Sequence, residues 1–232
     1  MLHRGDCTTR GRGNLTHAPG GTQAPSGPEL PARDAADYAR RAMEDAFRPL
    51  EVALAAYRTA CPDSAGIADE FTRFLRSAST VFERAHLAGH FTGSAWLVSA
   101  DGERVLLTHH RKLDAWLQLG GHADGDADLA RVALREGEEE SGLTDLVVEP
   151  AIFDIDRHRI PARASEPEHW HYDVRYVVRA TRGEDFVVGD ESHDLAWRRV
   201  DELVDDETVD ASVRRMARKW LERPVARANA GI

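Results

Sequence analysis

Three glutamates, Glu136, Glu139 and Glu140, stand at helical i, i+3 and i+4 spacing in the second half of the chain. In a helix this spacing places all three carboxylates on one face. Like charges at this spacing repel one another, so a helix gains no stability from gathering them. A divalent cation would reverse that sign, because Mg²⁺ binds a few carboxylate oxygens together with water and substrate phosphates. The spacing therefore predicts a site for Mg²⁺ or Mn²⁺, against the plainer alternative of a solvated acidic face.

The surrounding residues predict a helix over about 126–141 that can present these acids. Apolar residues fall on the opposite face and can anchor the helix to a sheet: Leu129, Val132 and Ala133. Asp126 and Asp128 crowd the predicted start, where a helix favours negative charge and side-chain caps. Gly142 suits the left-handed residue that ends a helix. The start, the buried face, the acidic face and the end therefore agree with one another.

A resemblance to a known family appears in the segment GGHADGDADLARVALREGEEESGL, from Gly120 to Leu143. The segment is similar to the Nudix box, G-x5-E-x7-R-E-U-x-E-E-x-G-U, and matches it at Gly121, Arg135, Glu136, Glu139, Glu140, Gly142 and Leu143. Ala127 replaces the first glutamate of the pattern, and Gly137 replaces the bulky aliphatic residue U. In the family the first glutamate mainly supports the loop and helix, a task for which Asp126 and Asp128 are candidates. Gly137 inside a helix should cost about 1 kcal/mol relative to alanine.

The resemblance extends through the flanking strands over roughly 89–204 and implies the α/β class, as an α/β/α sandwich with a mixed sheet. It also implies metal-dependent hydrolysis of a phosphoanhydride bond in a nucleoside diphosphate linked to another moiety. The implied metal ligands are Glu136, Glu139, Glu140 and the backbone carbonyl of Gly121. One glutamate could also deprotonate the attacking water. Arg135 would orient the carboxylates through a charge-assisted hydrogen bond.

Two other functions share the implied fold. One is a ligand-binding or regulatory protein without turnover, which the departures at Ala127 and Gly137 keep open. The intact glutamates and Arg135 favour the enzyme. The other is isopentenyl diphosphate isomerase, which can carry a Gly-His pair before its acidic helix. That enzyme needs a catalytic cysteine, and neither Cys7 nor Cys61 falls in the predicted sheet region.

Residues outside the box are candidates for binding substrate. A basic run follows a predicted strand and precedes Trp116: His109, His110, Arg111 and Lys112. These side chains could present positive charge and hydrogen-bond donors to substrate phosphates, with a solvated loop as the alternative. His122, directly after the two glycines of the box, is another candidate, against a structural hydrogen bond. Glu191 is a candidate for the additional base that many relatives supply from a later loop.

Histidines are unusually dense downstream of the box. His158 and the cluster from Glu168 to Asp173, which contains His169 and His171, could form a second metal or substrate site. Their spacing is not a recognised zinc pattern, and hydrogen bonding at a strand edge is the alternative. The sequence leaves both interpretations open.

The hydrophobic pattern divides the chain into three parts. Residues 1–32, rich in Gly, Pro, Thr, Ser and Arg, predict a disordered leader. Residues 33–88 predict a small helical element for packing or a dimer contact, or alternatively a substrate-selecting cap. Residues 89–225 mix strands with helices and predict the Nudix hydrolase domain. Within this domain, Asp101-Gly102 predicts a hairpin and Trp197–Val200 a short strand.

The composition limits the expected partners. Among 232 residues, 40 acidic side chains outnumber 30 lysines and arginines, which gives a formal net charge of -10 at pH 7. This balance opposes broad binding to nucleic acid or anionic membranes, so we expect a small phosphorylated substrate such as a nucleotide. Cys7 and Cys61 predict no disulfide, and the absence of a signal peptide or membrane span in the sequence favours the cytoplasm. The sequence does not decide the identity of the leaving group or whether the protein forms a homodimer.

Overall fold

The computed structural model describes residues 32–111, 114–163, 166–189 and 192–223. The chain divides into two units, residues 1–38 and residues 39–232. Of the first unit, the described part is the beginning of a helix, from Ala32 onward. The predicted leader therefore falls outside the described residues, apart from its last residue.

The chain contains helices and strands in a mixed order, as the sequence predicts. The helices are α1 (Ala32–Ala60), α2 (Ala65–Leu75), α3 (Leu129–Ser141), α4 (Val200–Leu203) and α5 (Ala211–Leu221), with a short 3-10 turn at Pro62–Ser64. The strands are β1 (Gly89–Val98), β2 (Arg104–His110), β3 (Ala115–Leu117), β4 (Leu119–His122), β5 (Leu146–Ile160), β6 (His169–Ala180) and β7 (Ser192–Arg199). Within the described ranges, no helix is long and apolar enough to cross a membrane.

The strands form one mixed sheet with β1 near its centre, in the order β3-β2-β1-β6-β5. β1 and β6 run parallel along the whole of Gly89–Val98, and the other strand pairs are antiparallel. On its other edge β1 pairs with β4 over Thr92–Ala95, while β7 pairs with β2. This pairing fixes Gly121 and His122 beside the middle of β1.

The sheet lies between two helical layers. Successive residues of β1 point to opposite faces of the sheet, so each layer contacts alternate residues. Ala95 and Leu97 belong to the apolar cluster on the α3 side. Trp96 and Val98 pack with Met216 and the other apolar residues of α4 and α5. This arrangement is the α/β/α sandwich with a mixed sheet that the resemblance implies, so the predicted fold class is confirmed.

The helices that precede the sheet share its core. Leu54 of α1 and Phe71 of α2 are fully buried in one apolar cluster with Phe91 of β1 and Leu129 of α3. Burying each such side chain stabilises the fold by roughly 1.5–3 kcal/mol. The helical element therefore packs on the domain, while the predicted boundary between residues 88 and 89 stays a prediction.

Two element boundaries differ from the sequence predictions. α3 begins at Leu129 rather than near residue 126, because Asp128 caps the helix. Asp126 lies in the preceding loop, where its carboxylate accepts a hydrogen bond from the Asp128 backbone N–H. β7 covers Ser192–Arg199, whereas the sequence predicts a strand over Trp197–Val200. Antiparallel pairing with β2 extends β7 through residues that have no continuous apolar run.

Candidate functional site

Aspartates fix the loop that leads into α3. The Asp128 carboxylate accepts a hydrogen bond from the Arg131 backbone N–H at 3.2 Å and so caps the helix. Asp126 accepts the backbone N–H of Asp128 at 2.9 Å and two guanidinium hydrogen bonds from Arg131, at 2.8 and 2.6 Å. Ala127, in place of the expected glutamate, is half-buried against the apolar core. Hydrogen bonds from neighbouring residues therefore hold the loop without that glutamate.

The apolar face of α3 holds the helix close to the sheet. Leu129, Val132 and Ala133 are buried, as the sequence predicts. The approach to β1 is so close that a Cβ added at Gly93 would lie 2.8 Å from Val132 Cγ1. Gly142, with φ 69°, ends the helix in the left-handed region that glycine favours. These contacts fix the position of the acidic face.

Glu136 lies against the backbone of Gly121 in β4. A Cβ added at Gly121 would lie 2.6 Å from Glu136 Cδ, so any larger residue there would displace the carboxylate. The Arg135 guanidinium donates to Glu136 Oε1 at 2.8 Å and to the His122 carbonyl oxygen at 2.9 Å. Arg135 therefore links the acidic helix to β4.

The electrostatics around Glu136 favour a cation. Burial raises the pKa of Glu136, Arg135 acts in the opposite direction, and the nearby Glu139 and Asp124 carboxylates raise it further. Glu139 is exposed, and Glu140 is half-buried. Carboxylates that raise the pKa of a neighbour repel it, and a divalent cation would replace that repulsion with attraction.

The structure brings Gly121 to Glu136 across the contact between β4 and α3. In the part of the chain that the structure describes, the side chains whose ligand atoms converge on one point are those of His90, His122 and His171, rather than the glutamates. Mg²⁺ commonly keeps several waters and uses only one or two carboxylates directly. The glutamate face fits that looser mode of binding.

The predicted phosphate-binding run begins at the end of β2. His109 pairs with Trp116 of β3 and stacks on its ring, with 5.1 Å between the centroids. His109 Nε2 lies 3.1 Å from Asp114 Oδ1, while His110 is half-buried and Arg111 exposed. The role of this run in binding phosphate stays a prediction. Two further candidates lie outside the described residues: Lys112 and Glu191.

Histidines from four neighbouring strands meet on one face of the sheet. His90 of β1 pairs with His171 of β6, which pairs with His158 of β5. His122 of β4 pairs with Thr92, two residues beyond His90 and on the same face of β1. Centroid distances between neighbouring rings run from 4.8 to 5.3 Å. Pairing across strands, rather than spacing along the chain, assembles this histidine cluster.

His90 is the member that the sequence analysis misses. It is 3% exposed, and neither ring nitrogen has a hydrogen-bond partner of ordinary geometry among the described residues. Its position beside His171 depends on the pairing of β1 with β6, which lie far apart in sequence. The structure thus adds His90 and His122 to the predicted downstream group and leaves His158, 41% exposed, at the edge.

The imidazoles at the centre of the cluster are held neutral. Burial lowers the pKa of His90 to about 4, with smaller contributions from His122 and His169. Burial, followed by the neighbouring histidines, lowers the pKa of His171 to about 2. The pKa of His122 is also lowered, by burial first and then by Arg84. A neutral imidazole keeps a lone pair on one ring nitrogen, which is the form that binds metals.

Two clefts differ in their relation to these residues. A cleft of about 870 Å³ lies among α1, the loop before α3 and β5, with Leu50, Asp126 and Tyr176 in its lining. None of the three box glutamates lines it. A smaller cleft of about 300 Å³ is lined by Arg84 and His169 and so opens beside the histidine cluster.

Comparisons with known proteins identify one family and several similar solved structures. The model of the NUDIX domain family matches residues 90–220. Solved structures similar to this chain include a C. elegans Ap4A hydrolase, at 16% identity over 56% of this chain and 94% of that chain, with TM-score 0.45. A NUDIX-family hydrolase from Clostridium perfringens shows 26% identity over 57% of this chain and 95% of that chain, with TM-score 0.44. A MutT protein from Methanosarcina mazei shows 20% identity over 58% of this chain and 94% of that chain, with TM-score 0.43. A search of curated proteins finds no match.

Proposed function

Because the chain belongs to the NUDIX domain family, we propose that it hydrolyses a phosphoanhydride bond in a nucleoside diphosphate linked to another moiety. The proposed cofactor is Mg²⁺ or Mn²⁺ on the acidic face of α3. Glu136, Glu139 and Glu140 are the proposed metal ligands, and Arg135 is the proposed positioning residue.

The main support for this proposal is the contact of Glu136 with Gly121. It places a half-buried carboxylate against a backbone segment of β4, where the Gly121 carbonyl could supply another hard oxygen ligand. Arg135 bonds both Glu136 and the same strand, so the carboxylate has a fixed orientation. A merely solvated acidic face would not require a glycine on the facing strand or an arginine that bridges to it.

Each residue then has a separate task. When bound, the metal would offset the negative charge that develops on the phosphate oxygens as water attacks phosphorus. Glu136 and the Gly121 carbonyl would hold it on the side of β4, and Glu140 would hold it from the next turn of α3. Glu139, the exposed carboxylate, would bind the metal and could also accept a proton from the attacking water. Arg135 would hold Glu136 against rotation toward solvent.

A small anionic substrate suits the rest of the molecule. With a net charge of -10, the chain lacks the positive excess that a nucleic-acid polymer would need. His109 and Arg111 offer local donors that could bind phosphate oxygens at the end of β2. Selectivity for the leaving group would then depend on the loops around the acidic face.

The test is turnover on a panel of nucleotide sugars, dinucleotides, nucleoside triphosphates and dinucleoside polyphosphates. The full chain is assayed after chelation, and then with Mg²⁺ or Mn²⁺ restored, by release of phosphate or nucleotide. We expect hydrolysis of at least one class that stops on chelation and returns with metal. Binding of a panel compound without turnover under any metal condition would contradict the proposal and identify a ligand-binding protein.

A further inference from the structure

We propose that His90, His122 and His171 form a second metal site, specific for a divalent transition metal such as Zn²⁺ and separate from the carboxylate face of α3. The ligand nitrogens of these residues all lie within 4.8 Å of one another. The side chains come from three adjacent strands of one rigid sheet. The site does not depend on the proposed hydrolase activity.

His90 gives the strongest reason to expect a ligand. It is buried, both ring nitrogens lack a hydrogen-bond partner of ordinary geometry among the described residues, and its ring faces those of His122 and His171 at 5.0 and 4.8 Å. Burying a polar group without a partner carries a free-energy cost. A bound metal ion would accept the lone pair of one nitrogen and offset that cost.

His169 lies beside this group, next to His171. Its Nδ1 lies 2.8 Å from the Pro167 carbonyl oxygen, which can only accept, so Nδ1 carries the proton and Nε2 has the lone pair. Nε2 lies 3.3 Å from His171 Nε2. A metal-binding histidine usually donates its other N–H to such a carbonyl, which fixes the tautomer.

The distances suit zinc after small side-chain movements. Zn–N bonds of about 2.0–2.1 Å place the nitrogens of a tetrahedral site about 3.3–3.4 Å apart. The pair His169 and His171 already has this separation. From separations of up to 4.8 Å, the nitrogens of His90 and His122 need to close by at most about 1.5 Å, which rotation about their side-chain bonds can supply.

The ligand chemistry separates this site from the carboxylate face. Imidazole nitrogens suit Zn²⁺ and its transition-metal neighbours, whereas Mg²⁺ takes oxygen ligands. Gly93 faces α3, so His90, an odd number of residues away on β1, faces the opposite side of the sheet. The cleft of about 300 Å³ lined by His169 lies beside the histidine cluster.

One residue joins the two sites. The His122 ring belongs to the histidine cluster, while the His122 carbonyl accepts a hydrogen bond from Arg135. Arg135 in turn bonds Glu136. A metal at the histidines would therefore stiffen the end of β4 against which the carboxylate face is positioned.

The experiment measures Zn²⁺ binding to the full chain by calorimetry, with Mg²⁺ in large excess to occupy the carboxylates. Co²⁺ serves as a second probe, because its visible absorption reports tetrahedral nitrogen ligation. We expect one Zn²⁺ per chain in the wild type and a rise in the unfolding temperature on binding. His171→Ala and His90→Ala should each weaken binding by at least about 100-fold.

Two controls separate the sites, and circular dichroism confirms that each variant is folded. His158→Ala removes the exposed neighbour and should leave Zn²⁺ affinity unchanged, as should Glu139→Gln on α3. If His90→Ala does not fold, His122→Ala, which removes a half-buried ring, takes its place. The proposal is overturned if the wild type binds no Zn²⁺ in excess Mg²⁺. It is also overturned if folded His171→Ala binds equally well or if Glu139→Gln abolishes binding.

Discussion

At the scale of single residues, the site depends on a glycine that leaves room for a carboxylate. The atoms that an added Cβ at Gly121 would meet belong to the end of the Glu136 side chain, which can rotate away. A larger residue at this position would therefore move the carboxylate without disrupting the backbone. Position 121 is thus a place where function and stability can be separated.

Gly121→Ala should lower kcat/KM by about 100-fold, because a displacement of about 1 Å at a reacting group has that effect. The free energy of unfolding should change by less than about 1 kcal/mol. Gly183→Ala is the matched control, since no atom outside its chain neighbours lies within 4 Å of the added Cβ. Full activity in a folded Gly121→Ala protein would show that the position of Glu136 is not essential.

Asp156 makes a pH-dependent contribution to stability. Burial would raise the pKa of Asp156, but His158, Arg175 and Arg215 together lower it to about 2. Because the ionised form is favoured in the folded state, the contribution is present above the ordinary carboxyl pKa of about 4 and lost as the pH falls toward 2. Urea unfolding should show Asp156→Asn less stable than wild type by about 2 kcal/mol at pH 6, with a smaller difference at pH 3. An equal difference at both pH values would exclude this origin.

At the scale of elements, the contact between α3 and the sheet determines where the acidic face lies. Two glycines lie in this contact and differ in the space available for a side chain. A Cβ at Gly93 would lie 2.8 Å from Val132 Cγ1, whereas a Cβ at Gly137 would meet its nearest atom, Leu146 Cδ1, at 3.5 Å. The first position has no space for a methyl group, and the second has ordinary contact distance.

The same substitution should therefore have opposite effects at these positions. Gly137→Ala should stabilise the protein by about 0.5–1 kcal/mol, because alanine has the higher helix propensity and the added methyl fits. Gly93→Ala should destabilise it by about 1–3 kcal/mol, since α3 must move away from β1. Chemical denaturation of both variants checks the signs. A loss of stability in Gly137→Ala would mean that the packing of α3 leaves no room for the added methyl group.

Local features of the sequence predict α3 and its orientation well. The spacing of the acids, the apolar residues opposite them and the stop at Gly142 all act within one helix. The length of β7 and the position of His90 depend instead on partner strands distant in the chain. Local spacing contains no information on that register, so the histidine cluster emerges only from the folded sheet.

At the scale of the whole molecule, a buried charge network joins the sheet to both helical layers. Arg175 is fully buried and lies 2.7 Å from Asp173, 3.2 Å from Asp156 and 3.5 Å from Asp154. The Asp154 carboxylate also accepts hydrogen bonds from Tyr57 of α1 and Arg215 of α5. Such a network couples the helical element to the opposite face of the sheet.

Arg175→Leu should destabilise the protein by about 3–5 kcal/mol, because it leaves buried carboxylates without their counter-charge. Arg199→Leu removes an exposed pair with Asp201 and should leave the free energy of unfolding nearly unchanged. The two variants are compared by urea denaturation at pH 7. Similar losses in both would show that burial does not decide the strength of these pairs.

The metal-dependent hydrolysis proposed for the acidic face of α3 can be tested with two adjacent glutamates. Glu139 and Glu138 are both exposed on α3, but only Glu139 shares the face with Glu136 and Glu140. The decisive measurement is the steady-state rate with Mg²⁺ on the best substrate of the panel, for Glu139→Gln and Glu138→Gln. We expect a loss of about 100-fold or more in kcat for Glu139→Gln and an unchanged rate for Glu138→Gln. Equal rates in the two variants would show that the acidic face does not perform the reaction.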